Sequence, residues 1–350
     1  MRASSDRTKW RRPLGLVLVG VLLAGTFAFD GRKAAYAAER RSIPTEQFPS
    51  GSPHPAAASE LPIVRHLETT QTAVRPASPE PPRLPLLDVA YGPDPAHRLD
   101  ILPAEEPNGL AVLWLHAGGW TSGDRTGTGP VTDQLVADGA IVFSADYRLA
   151  PDHAFPAQLH DVKRAIRWIK SRRSDFVYRR LVVAGASAGG HLAALAATSA
   201  GALEPADLPP ELTAHDSSVD GAVSLSGPMD LTRFWQADHP WARWLSAGFL
   251  SCDGARCDRA RMLEASPVHW VDPADPPLYL AAGTADTLVT AVDNADRMWD
   301  VVQAHGDPTR CWYDRVDGGT HNLWDTLDLT RLQEFLSSFG LVPSAAAVSV

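Results

Sequence analysis

The chain has 350 residues, 45% of them hydrophobic and 21% charged, which is enough apolar material to bury a core and excludes disorder throughout. Its 32 basic and 41 acidic side chains give a net charge of −9 with no basic cluster in the body of the sequence, which excludes nucleic-acid binding driven by phosphate electrostatics. Three cysteines are too few for a disulfide scaffold and none has zinc-finger spacing, so a globular enzyme or binding domain with no metal implied remains.

Residues 1–37 read as an export signal. Arg2, Arg7, Lys9, Arg11 and Arg12 form a basic start, an apolar run of 16 residues covers 14–29, and Ala35-Tyr36-Ala37 offers a small-x-small cleavage site. The run is shorter than the roughly 20 residues a spanning helix needs, which favours a cleaved signal over a retained anchor. Arg11-Arg12 fits twin-arginine export, although the usual flanking residues are missing. The expected location is secreted or extracytoplasmic. Cleavage removes seven basic and two acidic residues, so the remaining chain is more acidic and repelled by anionic lipid, and no stable membrane partner is expected. Ten prolines between 42 and 85 mark residues 38–85 as a linker.

From 86 to 341 short apolar runs alternate with amphipathic segments. The runs at 110–115, 140–144, 181–184, 219–225 and 278–282 have the length and continuity of strands buried on both faces of a parallel sheet, and 311–316 follows as a further strand. Leu159, Val162, Ile166 and Ile169 recur at helical spacing, with Lys163, Arg164, Arg167 and Lys170 expected on the polar faces. Helices are also predicted over 292–305 and 329–339, and 342–350 is a tail. Strand–helix alternation implies an α/β fold with helices on both faces of a mostly parallel sheet, and reactive groups on loops beyond the strands' carboxyl ends.

Those loops carry the chemistry. After the strand at 110 comes His116-Ala117-Gly118-Gly119-Trp120, whose glycines leave the Gly118 and Gly119 N–H groups open to a developing oxyanion. His116 precedes the other candidates in the chain and reads as a loop-fixing donor rather than a base. After the strand at 181 comes Gly185-Ala186-Ser187-Ala188-Gly189-Gly190, a G-x-S-x-G between strand and helix. This is a nucleophile elbow: the tight turn exposes the Ser187 hydroxyl, the glycines let the backbone cross closely, and the Ala188 N–H at the helix start completes the anion site. A serine nucleophile needs a base oriented by a carboxylate, in the chain order Ser, acid, His. Asp286 at the end of the strand at 278 and His321 in the Gly-rich loop after 311–316 satisfy that order, with Asp230 the competing acid.

Five ordered motifs together resemble the α/β-hydrolase superfamily, in particular the hormone-sensitive-lipase-like esterases, bacterial carboxylesterases and feruloyl-esterase-like enzymes. They are 116–120, Asp146-Tyr147-Arg148-Leu149-Ala150-Pro151 with Phe155-Pro156, 185–190, Gly283-Thr284-Ala285-Asp286 and Gly319-Thr320-His321. The resemblance implies Ser187 as nucleophile, Asp286 as orienting acid, His321 as base, and Gly118, Gly119 and Ala188 as oxyanion donors. It also makes 147–151 a structural turn and implies no cofactor.

The expected reaction is cleavage of a small-molecule carboxylic ester, short-chain, aryl or acetyl. An amide-cleaving hydrolase of the same fold and a non-catalytic ligand-binding member are the alternatives. Ala117 replaces the first glycine usual in this loop, and the N-terminal segment offers no large lid. A cap insertion is expected at about 228–270, pinned by a Cys252–Cys257 disulfide. Among its aromatics Trp235, Trp241 and Trp244, with Trp120 from the Gly-rich loop, either line the substrate pocket or pack the cap onto the core. Cys311 is left as a buried free thiol.

Overall fold

The computed structural model describes residues 82–253 and 256–339; the expected signal 1–37, nearly all of the linker and the tail 342–350 lie outside the described residues. The strands are β1 (Leu86–Ala90), β2 (Arg98–Leu102), β3 (Leu110–Leu115), β4 (Ile141–Ala145), β5 (Arg180–Ala186), β6 (Gly221–Leu225), β7 (Leu278–Gly283) and β8 (Cys311–Val316). They form one sheet in the order β1-β2-β4-β3-β5-β6-β7-β8. From β4 to β8 neighbours run parallel, while β1 and β2 are antiparallel additions at one edge.

Each apolar run forms a strand because both of its faces are covered. In β3, Ala111, Leu113 and Leu115 enter one core cluster and Leu110, Val112 and Trp114 the other, the two-residue period of a pleated strand. On the first face pack α2 (Ala157–Ser171), α3 (Ala188–Thr198) and α7 (Ala295–His305). On the second pack α1 (Pro130–Ala137) and α8 (Leu329–Ser337). Every residue of α3 is buried, as expected for a helix of Ala, Leu and Gly that is apolar all round. β1 and β2 were not foreseen. β2 alternates buried and half-buried positions and β1 is largely exposed, so neither carries a continuous apolar signal.

One expectation is corrected. Lys163, Arg164 and Arg167 do not face solvent; all three are buried on α2. The chain after α3 folds over them. Lys163 Nζ donates to the Ser199 carbonyl at 2.6 Å, Arg167 pairs with Glu204 at 2.7 Å, and Arg164 pairs with Asp207 at 2.7 Å. These ion pairs and carbonyl contacts offset part of the cost of burying the three cations, although Arg164 Nη1 and Arg167 Nε stay unpartnered, and helical periodicity carries no trace of it.

Strand order also locates the site. From β3 the chain goes to β4 on one side and then to β5 on the other, so helices leave the sheet in opposite directions at the β3–β5 boundary. A crevice opens at the carboxyl ends of strands at such a reversal. There Leu115 is in register with Gly185, which brings the loop after β3 beside the loop after β5.

Candidate active site

The turn from β5 into α3 is built by exclusion of volume. Ser187 has φ 52° and ψ −118°, a strained conformation for a residue with a side chain. The turn closes only because its neighbours lack a Cβ: one on Gly185 would lie 2.5 Å from the Gly189 carbonyl carbon, and one on Gly189 only 2.0 Å from the Leu115 carbonyl oxygen. The strain holds Ser187 at the crevice with its backbone anchored, its N–H bonded to the Leu225 carbonyl at 2.8 Å.

The loop after β3 lies alongside. Gly118 has φ 130° and a Cβ there would meet the Ser122 carbonyl oxygen at 2.0 Å, so only glycine fits. The Gly118 carbonyl accepts the N–H groups of Thr121 and Ser122, each at 3.1 Å, which tightens the turn. Among the described residues the N–H groups of Gly118, Gly119 and Ala188 have no hydrogen-bond acceptor. His116 holds the loop as expected: Nδ1 bonds the Ala117 carbonyl at 2.8 Å, and the ring stacks on Tyr147 at 4.2 Å. Burial pushes its imidazole below the ordinary value, which favours the neutral ring. Tyr147 in turn donates to the His116 carbonyl at 2.9 Å, and Arg148 is clamped on the fully buried Asp161 of α2 at 2.6 Å. The 147–151 segment thus braces the Gly-rich loop from behind.

The two remaining residues arrive on loops after adjacent strands. β7 and β8 end in close contact, since a Cβ on Gly283 would lie 2.0 Å from the Gly319 carbonyl oxygen, and the Ala285 N–H bonds that same carbonyl at 2.8 Å. This sets His321 Nδ1 2.7 Å from Asp286 Oδ2 and His321 Nε2 2.9 Å from Ser187 Oγ. Asp286 Oδ1 accepts the N–H groups of Leu288 and Val289, both at 2.9 Å, so the carboxylate is fixed at both oxygens. A carboxylate only accepts; Nδ1 must therefore donate, which leaves Nε2 free to take the Ser187 proton. His321 is 31% exposed while the Asp286 side chain is fully buried, so the imidazole reaches the crevice from a closed base. Asp230 is not brought to this group. It caps the helix that follows it, accepting from Thr232 N at 3.0 Å and Arg233 N at 3.3 Å.

Between β6 and β7 the chain forms α4 (Leu231–Gln236), α5 (Pro240–Leu250) and α6 (Arg259–Glu264). Here the expected aromatics separate. Trp120 is 1% exposed, stacks on Phe249 of α5 at 4.4 Å and donates its indole N–H to His191 Nδ1 at 3.2 Å. Trp235 is 9% exposed, with the Arg243 guanidinium 5.7 Å above its ring. Both pack the insertion onto the core. Trp241 and Trp244 remain exposed. Cys252 and Cys257 are joined as a disulfide with Cα atoms 4.8 Å apart, just beyond α5. Cys311 is buried and its thiol is pushed up to about 12 by desolvation, which makes it inert.

Two participants carried no sequence signal. His191, the first residue after the elbow glycines, receives Trp120 on one ring nitrogen and donates the other to the Ala265 carbonyl at 2.8 Å, tying the Gly-rich loop to the insertion. Leu245 of α5 sits over Gly119, where a glycine Cβ would lie 2.4 Å from Leu245 Cδ2. Neither could be found locally, because each contact joins segments far apart in the chain.

A family model described as BD-FAE matches residues 99–296. Probable carboxylic ester hydrolase LipM of Mycobacterium tuberculosis is 32% identical over 212 residues, 58% of this chain and 48% of that protein. Esterase LipC of the same organism is 34% identical over 212 residues, 57% of this chain and 51% of that protein. The chain thus spans about half the length of these curated relatives. A solved structure of a truncated carbohydrate esterase from gut microbiota superposes with a TM-score of 0.63 at 23% identity, covering 73% of this chain and 95% of that one. A thermophilic esterase of Thermogutta terrifontis gives 0.59 at 23% identity, covering 73% and 94%. At those identities the likeness establishes the α/β-hydrolase fold.

Proposed function

The chain belongs to the BD-FAE family, and from that premise we propose that it is a serine hydrolase cleaving small carboxylic esters through an acyl-enzyme. The observation that carries the proposal is the continuous chain Ser187 Oγ to His321 Nε2 to Asp286, at 2.9 and 2.7 Å, ending on a carboxylate held by two backbone N–H groups. The likeness to the probable carboxylic ester hydrolase LipM and the esterase LipC supports the same reading.

In this mechanism Ser187 Oγ attacks the ester carbonyl as His321 Nε2 takes its proton. The imidazolium is stabilised by Asp286, already bonded to Nδ1. Negative charge on the former carbonyl oxygen falls among the N–H groups of Gly118, Gly119 and Ala188, the last in the first turn of an eleven-residue helix. Collapse breaks the bond to the alcohol, which leaves with the proton from Nε2, and water repeats the sequence on the acyl-enzyme. Export to an oxidising compartment is part of the proposal; it draws on the basic and apolar pattern of residues 1–37 and agrees with a Cys252–Cys257 disulfide.

The test is hydrolysis of 4-nitrophenyl esters from acetate to palmitate by the protein and by Ser187→Ala. Turnover of the short esters that disappears in the variant is expected. Equal turnover in both would overturn the role of Ser187, and no turnover at any chain length would overturn ester hydrolysis and favour amide substrates.

A further inference from the structure

Trp241 and Trp244 are the two large aromatic side chains that the insertion does not use to pack itself down. They are 38% and 56% exposed, whereas Trp120 and Trp235 are 1% and 9% exposed. Their rings stand at 88° with centroids 5.5 Å apart, so together they form a right-angled corner. Among the described residues neither indole N–H has a hydrogen-bond acceptor, whereas that of Trp120 is bonded to His191. A tight pair of indoles left in water forgoes the stabilisation that burial would bring, unless something covers it.

The helix says where the corner stands. Positions 241, 244, 245 and 248 fall at i, i+3, i+4 and i+7 and share one face of α5. The C-terminal half of that face rests on the Gly-rich loop: Leu245 is against Gly119, and a Cβ on Gly248 would come within 3.9 Å of Thr121 Cγ2. At 1.5 Å rise per residue, Trp244 and Trp241 continue the face about 1.5 and 6 Å beyond Leu245 along the axis. The corner therefore lies at the lip of the site, next to a glycine whose N–H would hold the reacting carbonyl.

We propose that Trp241 and Trp244 are specificity-determining residues that hold a six-membered ring carried by the ester, its face against one indole and its edge against the other. The proposal rests on the ester-hydrolase reading for its substrate, but not for the binding itself. Perpendicular faces suit a rigid ring better than a flexible alkyl chain, which loses rotational freedom on being held and offers no flat face. Neither indole N–H is taken up among the described residues, so each remains available to an oxygen on that ring. Aryl and pyranosyl rings share this chemistry.

The experiment compares KM and kcat for benzyl acetate, methyl 3-phenylpropanoate and methyl 6-O-acetylglucopyranoside with those for n-butyl acetate. It uses the full chain, Trp241→Ala, Trp244→Ala and Trp244→Phe. Expected is a rise on the order of tenfold in the KM of at least one ring ester relative to butyl acetate in both alanine variants, with kcat little changed and partial recovery in Trp244→Phe. Which ring ester responds distinguishes aryl from pyranosyl and the alcohol from the acyl side. Relative KM values within twofold of the original protein for all three ring esters would overturn the proposal. Calorimetric titration of Ser187→Ala, with and without the tryptophan substitutions, reads binding without turnover. Ring esters binding more tightly than butyl acetate only while both tryptophans are present supports the proposal even if the protein turns over no ester. Indifference to the tryptophans overturns it even if the protein is an esterase.

Discussion

The most informative perturbation is Asp286→Asn, because the surroundings of that side chain dictate which way the new amide must turn. Asp286 Oδ1 receives two backbone N–H groups, from Leu288 and Val289, both at 2.9 Å. An amide nitrogen there would set donor against two donors, so the asparagine oxygen must take that place and its NH2 must face His321 Nδ1, 2.7 Å away in the present structure. Nδ1 then has to accept, the proton moves to Nε2, and Nε2 no longer accepts from Ser187. Size and backbone bonds are unchanged; only the tautomer reverses. A fall in kcat of about 10⁴-fold, or roughly 5.5 kcal/mol of transition-state stabilisation, is expected. The assay is 4-nitrophenyl acetate turnover at pH 8, with thermal melting to show that the variant is folded. Asp230→Ala run alongside should cost about 1 kcal/mol of stability through the lost helix cap while keeping activity. Asp286→Asn within tenfold of the parent, or Asp230→Ala equally inactive, would refute the assignment of the acid.

Three further outcomes are expected. Gly189→Ala should abolish activity and sharply lower the yield of folded protein, since its Cβ would stand 2.0 Å from the backbone oxygen of Leu115, which has no room to move; a soluble, active variant would show that the elbow is looser than described. Burial pushes the His191 imidazole down to about 4, so it is neutral when folded while the unfolded chain binds a proton through about 6.5. The stability it protects is complete above about pH 6.5 and declines as pH falls toward 4, by roughly 2–3 kcal/mol. Urea unfolding of His191→Gln should therefore show a flatter slope between pH 7 and 4.5, and an unchanged slope would remove His191 as the cause. In non-reducing peptide maps of the native protein, none of the three cysteines should take up a thiol reagent, and Cys311 alone should react after unfolding; labelling of Cys252 or Cys257 without reductant would remove the disulfide.

What was legible in the residues was whatever has a local steric or chemical cause. Gly185, Ser187 and Gly189 could be read together because a strand-to-helix turn this tight admits few side chains, and the structure shows those backbone contacts. The same holds for the runs 110–115 and 311–316, which form β3 and β8 with the same bounds. β1 and β2 carry no such signal, because β1 is an edge strand open to solvent and β2 alternates buried with half-buried positions, so neither has a continuous apolar run. The charges of α2 were misread for a related reason: periodicity reports one helix face, while the segment that buries Lys163 and Arg167 arrives from some forty residues away.

The amino-acid order by itself determined the kinds of group at the crevice and the loops that bear them, since motif, strand and turn are properties of neighbouring residues. Tertiary structure placed Asp286, the acid that residue order already preferred over Asp230, against His321, because β7 pairs with β8 and carries the two loops together. It likewise sorted four tryptophans into two that hold the insertion down and two left at its rim. Those choices depend on contacts between segments far apart in the chain, where burial and shape fit are established only once the whole sheet and its insertion have come together.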